Sequence, residues 1–257
     1  MPFVEDDLAA LDRAGFQAIN ALTLADGPTG THSHPCKFVC MDVNTYWTKG
    51  EPVQQGLVVE LIAARLADQL GVGPRGVIVN VSDEAIPAAG NPGCSTGLIF
   101  GSLDQNDMIP ARDITKFIPS GILPPGSPDK GSWALVIAFQ TWLGVGDSQV
   151  LLSVTTGRVA SFDHGDCFGS AGTLASPTIV FTQFAGVTEA AAKTPPEIRA
   201  AVSKIEGVTD IQLVQACARM PTGPMWRSES TRRLTIANWL QHRRPLLRGI
   251  MDAWLST

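Results

Sequence analysis

The sequence predicts an α+β fold, with most strands in the first half of the chain and most helices in the second. Short apolar segments bounded by turn residues occur at residues 36–43, 46–49, 76–81 and 97–101. After residue 130, apolar residues mostly recur at the spacing of helices. The chain has 257 residues, of which 44% are hydrophobic, so it can form the core of one large domain or two closely packed lobes.

The charge balance excludes some classes of partner. A net charge of -5 and a pI near 5.3 argue against broad binding to nucleic acids or to anionic membranes. The N-terminus is acidic where a signal peptide is basic, and no stretch of about 18 uninterrupted apolar residues occurs. We therefore expect a soluble cytoplasmic protein with no nucleic-acid or membrane partner.

The five cysteines are an odd number, which in a cytosolic protein favours reduced thiols over a disulfide framework. His32, His34, Cys36 and Cys40 lie close together in the sequence, but their spacing matches none of the usual zinc patterns. Cys36, Phe38 and Cys40 fall instead on one face of a strand. Buried small side chains are therefore favoured over a zinc site.

The first half of the chain predicts a short helix and a sheet. Residues 4–13 are predicted to form an amphipathic helix, and residues 36–43 and 46–49 a hairpin with its turn at Asn44. A helix is predicted over 56–70, with Gly71 as its C-cap. Two further strands follow at 76–81 and 97–101, and residues 103–130 read as irregular connection.

In the second half, residues 132–143 predict a nearly all-apolar helix with Ser132 as its N-cap. A hairpin from Leu151 to Phe162 follows, and further helices are predicted at 188–193, 195–205, 209–219 and 229–255. The hairpin connects two loop carboxylates, Asp147 and Asp163, and should bring them together. Paired carboxylates of this kind suit phosphoryl transfer, in which one orients the attacking hydroxyl and the other holds Mg²⁺.

The order of these elements resembles that of the HipA-like kinase domain family, relatives of the protein kinases and phosphoinositide kinases. The resemblance runs from about residue 27 to 255 and rests on six motifs, at residues 46–50, 60–67, 97–102, 142–149, 162–165 and 239–244. It implies a bilobal protein-kinase-like fold, with a β-rich N-lobe at 1–104 and a mostly helical C-lobe with the hairpin at 105–257.

Within the resemblance, Lys49 matches the strand lysine that holds the nucleotide phosphates. Glu60, on the following helix, matches its ion-pair partner. The segment with Gly30 and Thr31 takes the place of the phosphate-covering loop, although it lacks a G-x-G-x-x-G pattern. These four residues are the predicted ATP-binding set.

Asp147 matches the catalytic aspartate that accepts the hydroxyl proton, and Asp163 matches the metal-binding aspartate. The loop departs from the family pattern, because it has no asparagine and because Ser148 replaces an arginine. Gln149 can substitute for the asparagine with its amide oxygen, a hard ligand that suits Mg²⁺. The predicted metal ligands are therefore Asp163 and Gln149.

The sequence leaves three functions open. The first is an ATP- and Mg²⁺-dependent phosphotransferase that acts on a Ser or Thr hydroxyl of a protein. The second is a pseudokinase, a nucleotide-binding or protein-interaction module without turnover, which the departures in the loop favour. The third is a metal-dependent hydrolase built on Asp147, Asp163, Asp166 and His164.

Overall fold

The computed structural model describes residues 1–26, 36–50, 56–87, 94–110, 129–146, 149–168, 183–184, 187–188 and 193–257. Several residues singled out above lie outside these ranges: Gly30, Thr31, His32, His34, Asp147 and Ser148. The content of helices and sheets agrees with the predicted α+β class.

The chain begins with helix α1 and five strands, and a second helix, α2, lies between the third and fourth strands in the sequence. Their bounds are α1 Glu5–Asp12, β1 Ala18–Asp26, β2 Cys36–Cys40, β3 Thr45–Lys49, α2 Leu57–Leu70, β4 Gly76–Val81 and β5 Gly97–Leu103. The predicted hairpin, the two later strands and both helices of this half are confirmed, with small shifts at their ends.

The five strands form a closed barrel in the order β1-β2-β3-β5-β4. All pairs are antiparallel except β1 with β4, where Ala18 to Asn20 run parallel to Ile78 to Asn80. Cys36, Phe38 and Cys40 point together into the barrel, as the period-2 pattern predicts, and are almost completely buried. A small apolar cluster fills the barrel interior.

Helix α2 joins the barrel to the rest of the protein. It packs on the outer face of β4 and β5, and its core residues belong to the larger of the two apolar clusters. Gly71 ends the helix in the left-handed conformation, with φ 63°, as predicted for a C-cap. Gly73 then lies so close to Ser161, far along the chain, that a Cβ on it would be 2.5 Å from the Ser161 carbonyl oxygen.

The second half contains a three-stranded antiparallel sheet, in the order β6-β7-β8, and most of the helices. The bounds are β6 Met108–Pro110, α3 Lys130–Leu143, β7 Gln149–Ser153, β8 Val159–Phe162, β9 Gln183–Phe184, β10 Val187–Thr188, α4 Pro195–Glu206, α5 Asp210–Cys217, α6 Ser230–Arg243 and α7 Leu247–Leu255. The large apolar cluster unites these helices with α2, β7 and β8.

Several predicted elements differ from the structure. Strands β1 and β6 have no counterpart among the predictions, and β6 lies in a segment read as irregular. The N-cap of α3 is Asp129, whose carboxylate accepts from the backbone N–H of Ser132, so Ser132 lies inside the helix. The predicted helix at 188–193 is wrong at both of its described ends, because Thr188 is in β10 and Lys193 is not helical.

The last predicted helix, 229–255, is two helices. A 3₁₀ turn at Arg244–Leu246 separates α6 from α7. Pro245 lies in this turn, and proline lacks the N–H that a continuous helix needs. The turn lets the apolar face of α7 pack against α4 and α3.

The prediction of reduced thiols is wrong for two of the five cysteines, because Cys36 and Cys94 form a disulfide. Cys36 begins β2, and Cys94 lies just before β5, with 58 positions between the two along the chain. The fold brings them together across the barrel end. Cys40, Cys167 and Cys217 are free and buried.

Within the described residues, no helix is both long and apolar enough to cross a membrane. The chain leaves the barrel after Leu103 and next enters the three-stranded sheet at Met108. The predicted division into lobes at residues 104 and 105 falls between these two strands and stays a prediction.

Candidate functional site

A lysine held between two carboxylates lies where the barrel, α2 and the three-stranded sheet meet. The Lys49 Nζ is 2.8 Å from Glu60 Oε1 and also donates to Asp163 Oδ1. The side chains of Lys49, Glu60 and Asp163 are 12%, 0% and 35% exposed. The only one of the three with substantial access to solvent is therefore Asp163.

Local structure explains how three distant residues meet. Lys49 is the last residue of β3, and Glu60 lies in the first turn of α2, which begins eight positions after Lys49 at Leu57. Asp163 directly follows β8 and has φ 54°, a left-handed conformation that is uncommon for a residue other than glycine. This backbone turn directs the Asp163 carboxylate toward Lys49 instead of continuing the strand.

The three groups shift one another's pKa. Burial acts to lower the pKa of Lys49, but the charges of Glu60 and Asp163 outweigh it and raise that pKa above its ordinary value. Burial raises the pKa of Glu60, and the Asp163 charge adds to this while Lys49 opposes it. Burial opposes the shift at Asp163, whose pKa is nonetheless lowered, chiefly by Lys49. Lys49 therefore stays charged over the whole physiological range.

Glu60 is also bonded from the other side. Its Oε2 accepts from the backbone N–H of His164 at 2.8 Å, so both carboxylate oxygens have a donor. The His164 ring is buried, stacks edge-on against Phe139 and has its Nε2 2.9 Å from Ser161 Oγ. The Nε2 of Gln140, on α3, donates to the same Ser161 oxygen at 2.8 Å. A chain of hydrogen bonds thus connects α3 to Glu60.

His164 gives the site a measurable pH dependence. Burial lowers the pKa of His164 to about 4, below the ordinary value of 6.5, so the folded protein holds a neutral imidazole. Between these two values the unfolded chain binds a proton that the folded chain does not, so stability falls with decreasing pH. We expect the wild type to lose about 3 kcal/mol from this group between pH 7 and pH 4.

The substitution His164→Gln should remove most of that loss, measured by urea unfolding followed through tryptophan fluorescence. The raised pKa of Glu60 acts in the opposite direction over the same range, so the difference between wild type and variant isolates the imidazole. The exposed His242 supplies His242→Gln as a control for the loss of an imidazole outside the site. Equal profiles for wild type and His164→Gln would contradict the prediction.

The two ends of the β7–β8 hairpin are joined near the site. The backbone N–H of Gly146 donates to the Asp166 carbonyl at 2.9 Å, and that of Phe168 donates to Leu143 at 2.8 Å. A Cβ on Gly146 would lie 2.3 Å from the Asp166 Oδ2, so this close approach suits glycine. The segment that leads toward Asp147 in the sequence is therefore anchored to the segment that follows Asp163.

Of the two predicted metal ligands, Asp163 borders the lysine, and Gln149 begins β7 opposite Phe162, one residue before Asp163. Carboxylate and amide oxygens suit Mg²⁺, which binds one or two protein carboxylates together with substrate phosphates. Three or more His, Cys, Asp or Glu side chains do not gather into a metal cage anywhere in the described residues. The donors therefore fit a nucleotide-bound Mg²⁺ better than a metal held by protein ligands alone.

The same geometry disfavours the hydrolase hypothesis. The His164 ring is buried in the protein interior, where it packs against Phe139 and its Nε2 contacts Ser161. Asp166 is exposed, its backbone carbonyl accepts from the Gly146 N–H, and its carboxylate lies beside Gly146. Among the described residues, these two side chains do not join Asp163 in a shared metal site.

The structure brings Lys49, Glu60 and Asp163 together, and sequence reasoning missed the residues that support them. Gln140 and Ser161 had no place among the predicted site residues. The available signal was Gln140, the single amide that follows the apolar run 133–139 in the predicted helix. A buried polar side chain at such a position needs a hydrogen-bond partner. Which partner it finds depends on the tertiary structure.

No protein-family model and no curated protein matches the chain. Among solved structures, it is similar to a proinflammatory kinase, CtkA, from Helicobacter pylori, at 10% identity, over 93% of this chain and 98% of that chain, with a TM-score of 0.45. It is also similar to a Golgi casein kinase, at 9% identity, over 98% of this chain and 74% of that chain, with a TM-score of 0.48. Both similarities are weak, since both TM-scores are below 0.5.

Proposed function

We propose that the protein is an ATP- and Mg²⁺-dependent phosphotransferase of the HipA-like type, with a bilobal arrangement of residues 1–104 and 105–257. The observation that carries this proposal is the buried Lys49 held by Glu60 and Asp163. A nucleoside triphosphate with its metal ion requires a fixed ammonium group for the phosphates and an accessible carboxylate for the metal. Two carboxylates around one lysine also exceed what a structural ion pair needs.

In this mechanism Lys49 contacts the nucleotide phosphates, and Glu60 keeps its ammonium group in place. Asp163, with Gln149 as a second oxygen donor, would hold the Mg²⁺. When bound, the ion neutralises charge that develops on the phosphates. The ammonium group of Lys49 supplies positive charge to the phosphates without reorganisation, because Glu60, which holds it, already has both of its oxygens bonded.

Asp147 is the proposed base, and Gly30 and Thr31 are proposed to cover the phosphates. A hydroxyl oxygen forms a bond to the γ-phosphorus while the bond from that phosphorus to the bridging oxygen of ADP breaks, and the hydroxyl proton passes to Asp147. The acceptor is proposed to be a Ser or Thr hydroxyl of a protein. The bond from Gly146 to Asp166 joins the residue before Asp147 in the sequence to the segment that follows Asp163.

The disulfide bears on the expected cytoplasmic location, which rests on the acidic N-terminus and on the lack of a long apolar stretch. A disulfide such as that of Cys36 and Cys94 persists mainly in oxidising compartments. Its presence is compatible with phosphoryl transfer, because neither cysteine contributes to the lysine site.

The test of the function is calorimetric titration with ATP, with and without Mg²⁺, followed by a transfer assay with labelled ATP. The phosphotransferase predicts Mg²⁺-dependent binding and label on a protein acceptor, and Asp147→Ala should abolish the label while binding persists. Folded protein that neither binds ATP nor transfers phosphate would refute the proposal.

A pseudokinase is the second candidate, and one contact favours it. Lys49 bonds directly to Asp163, so one oxygen of the proposed metal ligand is engaged by the ammonium group. The loop also lacks the asparagine and arginine of the family pattern. Tight ATP binding that is the same with and without Mg²⁺, together with no phosphate transfer, would favour the pseudokinase over the enzyme.

A further inference from the structure

One buried amide lies in a mostly apolar part of helix α3. Gln140 is completely buried, as are its helix neighbours Phe139, Trp142 and Leu143. An amide in such a place costs about 1–3 kcal/mol unless it finds hydrogen-bond partners. The helix would pack equally well with an apolar residue of the same length, so the contacts of this amide need an explanation.

The Gln140 amide connects the two strands of the hairpin at the end nearest the lysine site. Its Nε2 donates to the Gln149 carbonyl oxygen at 3.2 Å and to Ser161 Oγ at 2.8 Å. Gln149 begins β7, and Ser161 is the penultimate residue of β8. A single side chain therefore fixes the position of both strands relative to α3.

The connection continues on both sides of Asp163. Ser161 contacts the His164 ring, and the His164 backbone N–H donates to Glu60 Oε2. Asp163 lies between these two anchored residues with φ 54°. This conformation costs roughly 1–2 kcal/mol for a residue with a Cβ and persists only where the surroundings enforce it.

We infer that Gln140 is a positioning residue, which through Ser161 and His164 sets the carboxylates of Asp163 and Glu60 around Lys49. It does not contact the reacting groups itself. Its consequence for nucleotide binding rests on the proposed function, whereas its effect on the backbone of Asp163 and His164 does not. These two effects can be measured separately.

The test is the substitution Gln140→Met, which keeps the length of the side chain and removes its donors. We expect hydrogen exchange at the His164 amide to become about tenfold faster, because Ser161, which contacts the His164 ring, loses the donor that holds it in place. In calorimetric titrations, the Kd for ATP with Mg²⁺ should rise about tenfold, while the Kd without Mg²⁺ changes less than about twofold. Ser161→Ala, a smaller change, should give both effects in the same direction.

The matched control is Thr141→Val, the next buried polar residue of the same helix. It should lower the unfolding temperature without changing His164 exchange or the ratio of the two Kd values. If Gln140→Met and Ser161→Ala lower the unfolding temperature yet leave exchange and ratio at wild-type values, Gln140 is only structural and the inference is wrong. If wild-type protein binds no ATP, the proposed function fails, and the exchange measurement alone decides the role of Gln140.

Discussion

Replacement of Lys49 by methionine should abolish nucleotide binding and phosphate transfer, and should also destabilise the protein. The substitution leaves Glu60 completely buried without the ammonium group that neutralises it. Breaking a buried ion pair on one side costs about 3–5 kcal/mol. We expect a loss of this size in urea unfolding at pH 7.

The loss should shrink on acidification, because burial already raises the pKa of Glu60 and the variant removes the charge that opposes this shift. A protonated Glu60 no longer leaves an unpaired charge in the core. Adding Glu60→Gln to Lys49→Met should therefore restore most of the stability at pH 7, although nucleotide binding stays absent. This double variant separates the stability of the ion pair from its function.

Lys37 offers a matched control on the neighbouring strand β2. Its Nζ is 2.6 Å from Asp104 Oδ2, but its side chain is 24% exposed. The Asp104 side chain is 11% exposed and keeps a hydrogen bond from Trp47 Nε1, so Lys37→Met should cost less stability than Lys49→Met and leave ATP binding intact. Equal losses for Lys37→Met and Lys49→Met would contradict the special role of the buried lysine.

Loss of the disulfide between Cys36 and Cys94 should have the second large effect on stability. The bond closes a loop across 58 positions, and the entropy of closing such a loop in the unfolded chain corresponds to about 4 kcal/mol. We expect Cys36→Ala with Cys94→Ala, or wild type in dithiothreitol, to unfold at a correspondingly lower urea concentration.

The bond also lies beside the lysine, which links stability to nucleotide binding. Cys36 pairs with Thr48 across the hairpin, and the Ser95 side chain fills the space over Gly50, where a Cβ would lie 2.0 Å from the Ser95 Cβ. Both strands that flank Lys49 are thus held by the disulfide region. Reduced protein should bind ATP more weakly as well as unfold more easily.

The free thiols should not confuse this measurement. Burial raises the pKa of Cys40 to about 11, of Cys217 to about 12, and that of Cys167 well above its ordinary value. Thiols that stay protonated exchange slowly with disulfides. Dithiothreitol should therefore leave the double alanine variant unchanged, and an equal shift in that variant would show that the reductant acts elsewhere.

The sequence predicts the local elements of the site better than its tertiary contacts. Lys49 and Glu60 lie on a strand and a helix whose period-2 and period-3.6 patterns are clear, so their elements are confirmed. Strand β1 escaped prediction because most of its side chains are exposed and their alternation is irregular. Its partner β4 lies more than 50 positions away, and pairing over that distance leaves no local signal.

Other differences between prediction and structure arise where two neighbouring residues suit the same role equally well. Asp129 and Ser132 are both good N-cap residues, and the structure uses the carboxylate of the first to accept from the backbone of the second. The contacts of Gln140 and the pairing of Cys36 with Cys94 join segments that only the tertiary fold brings together. Period and propensity contain no information on such pairs.

Closure of the five-stranded barrel limits how this protein engages other chains. Each strand of that sheet has a hydrogen-bonded neighbour on both sides, so the barrel offers no edge to which an extended peptide could add. Sheets without edges also resist the edge-to-edge pairing that begins aggregation. Among the described residues, an extended peptide that adds as a strand would therefore use one of the two smaller sheets, β6-β7-β8 or β9-β10.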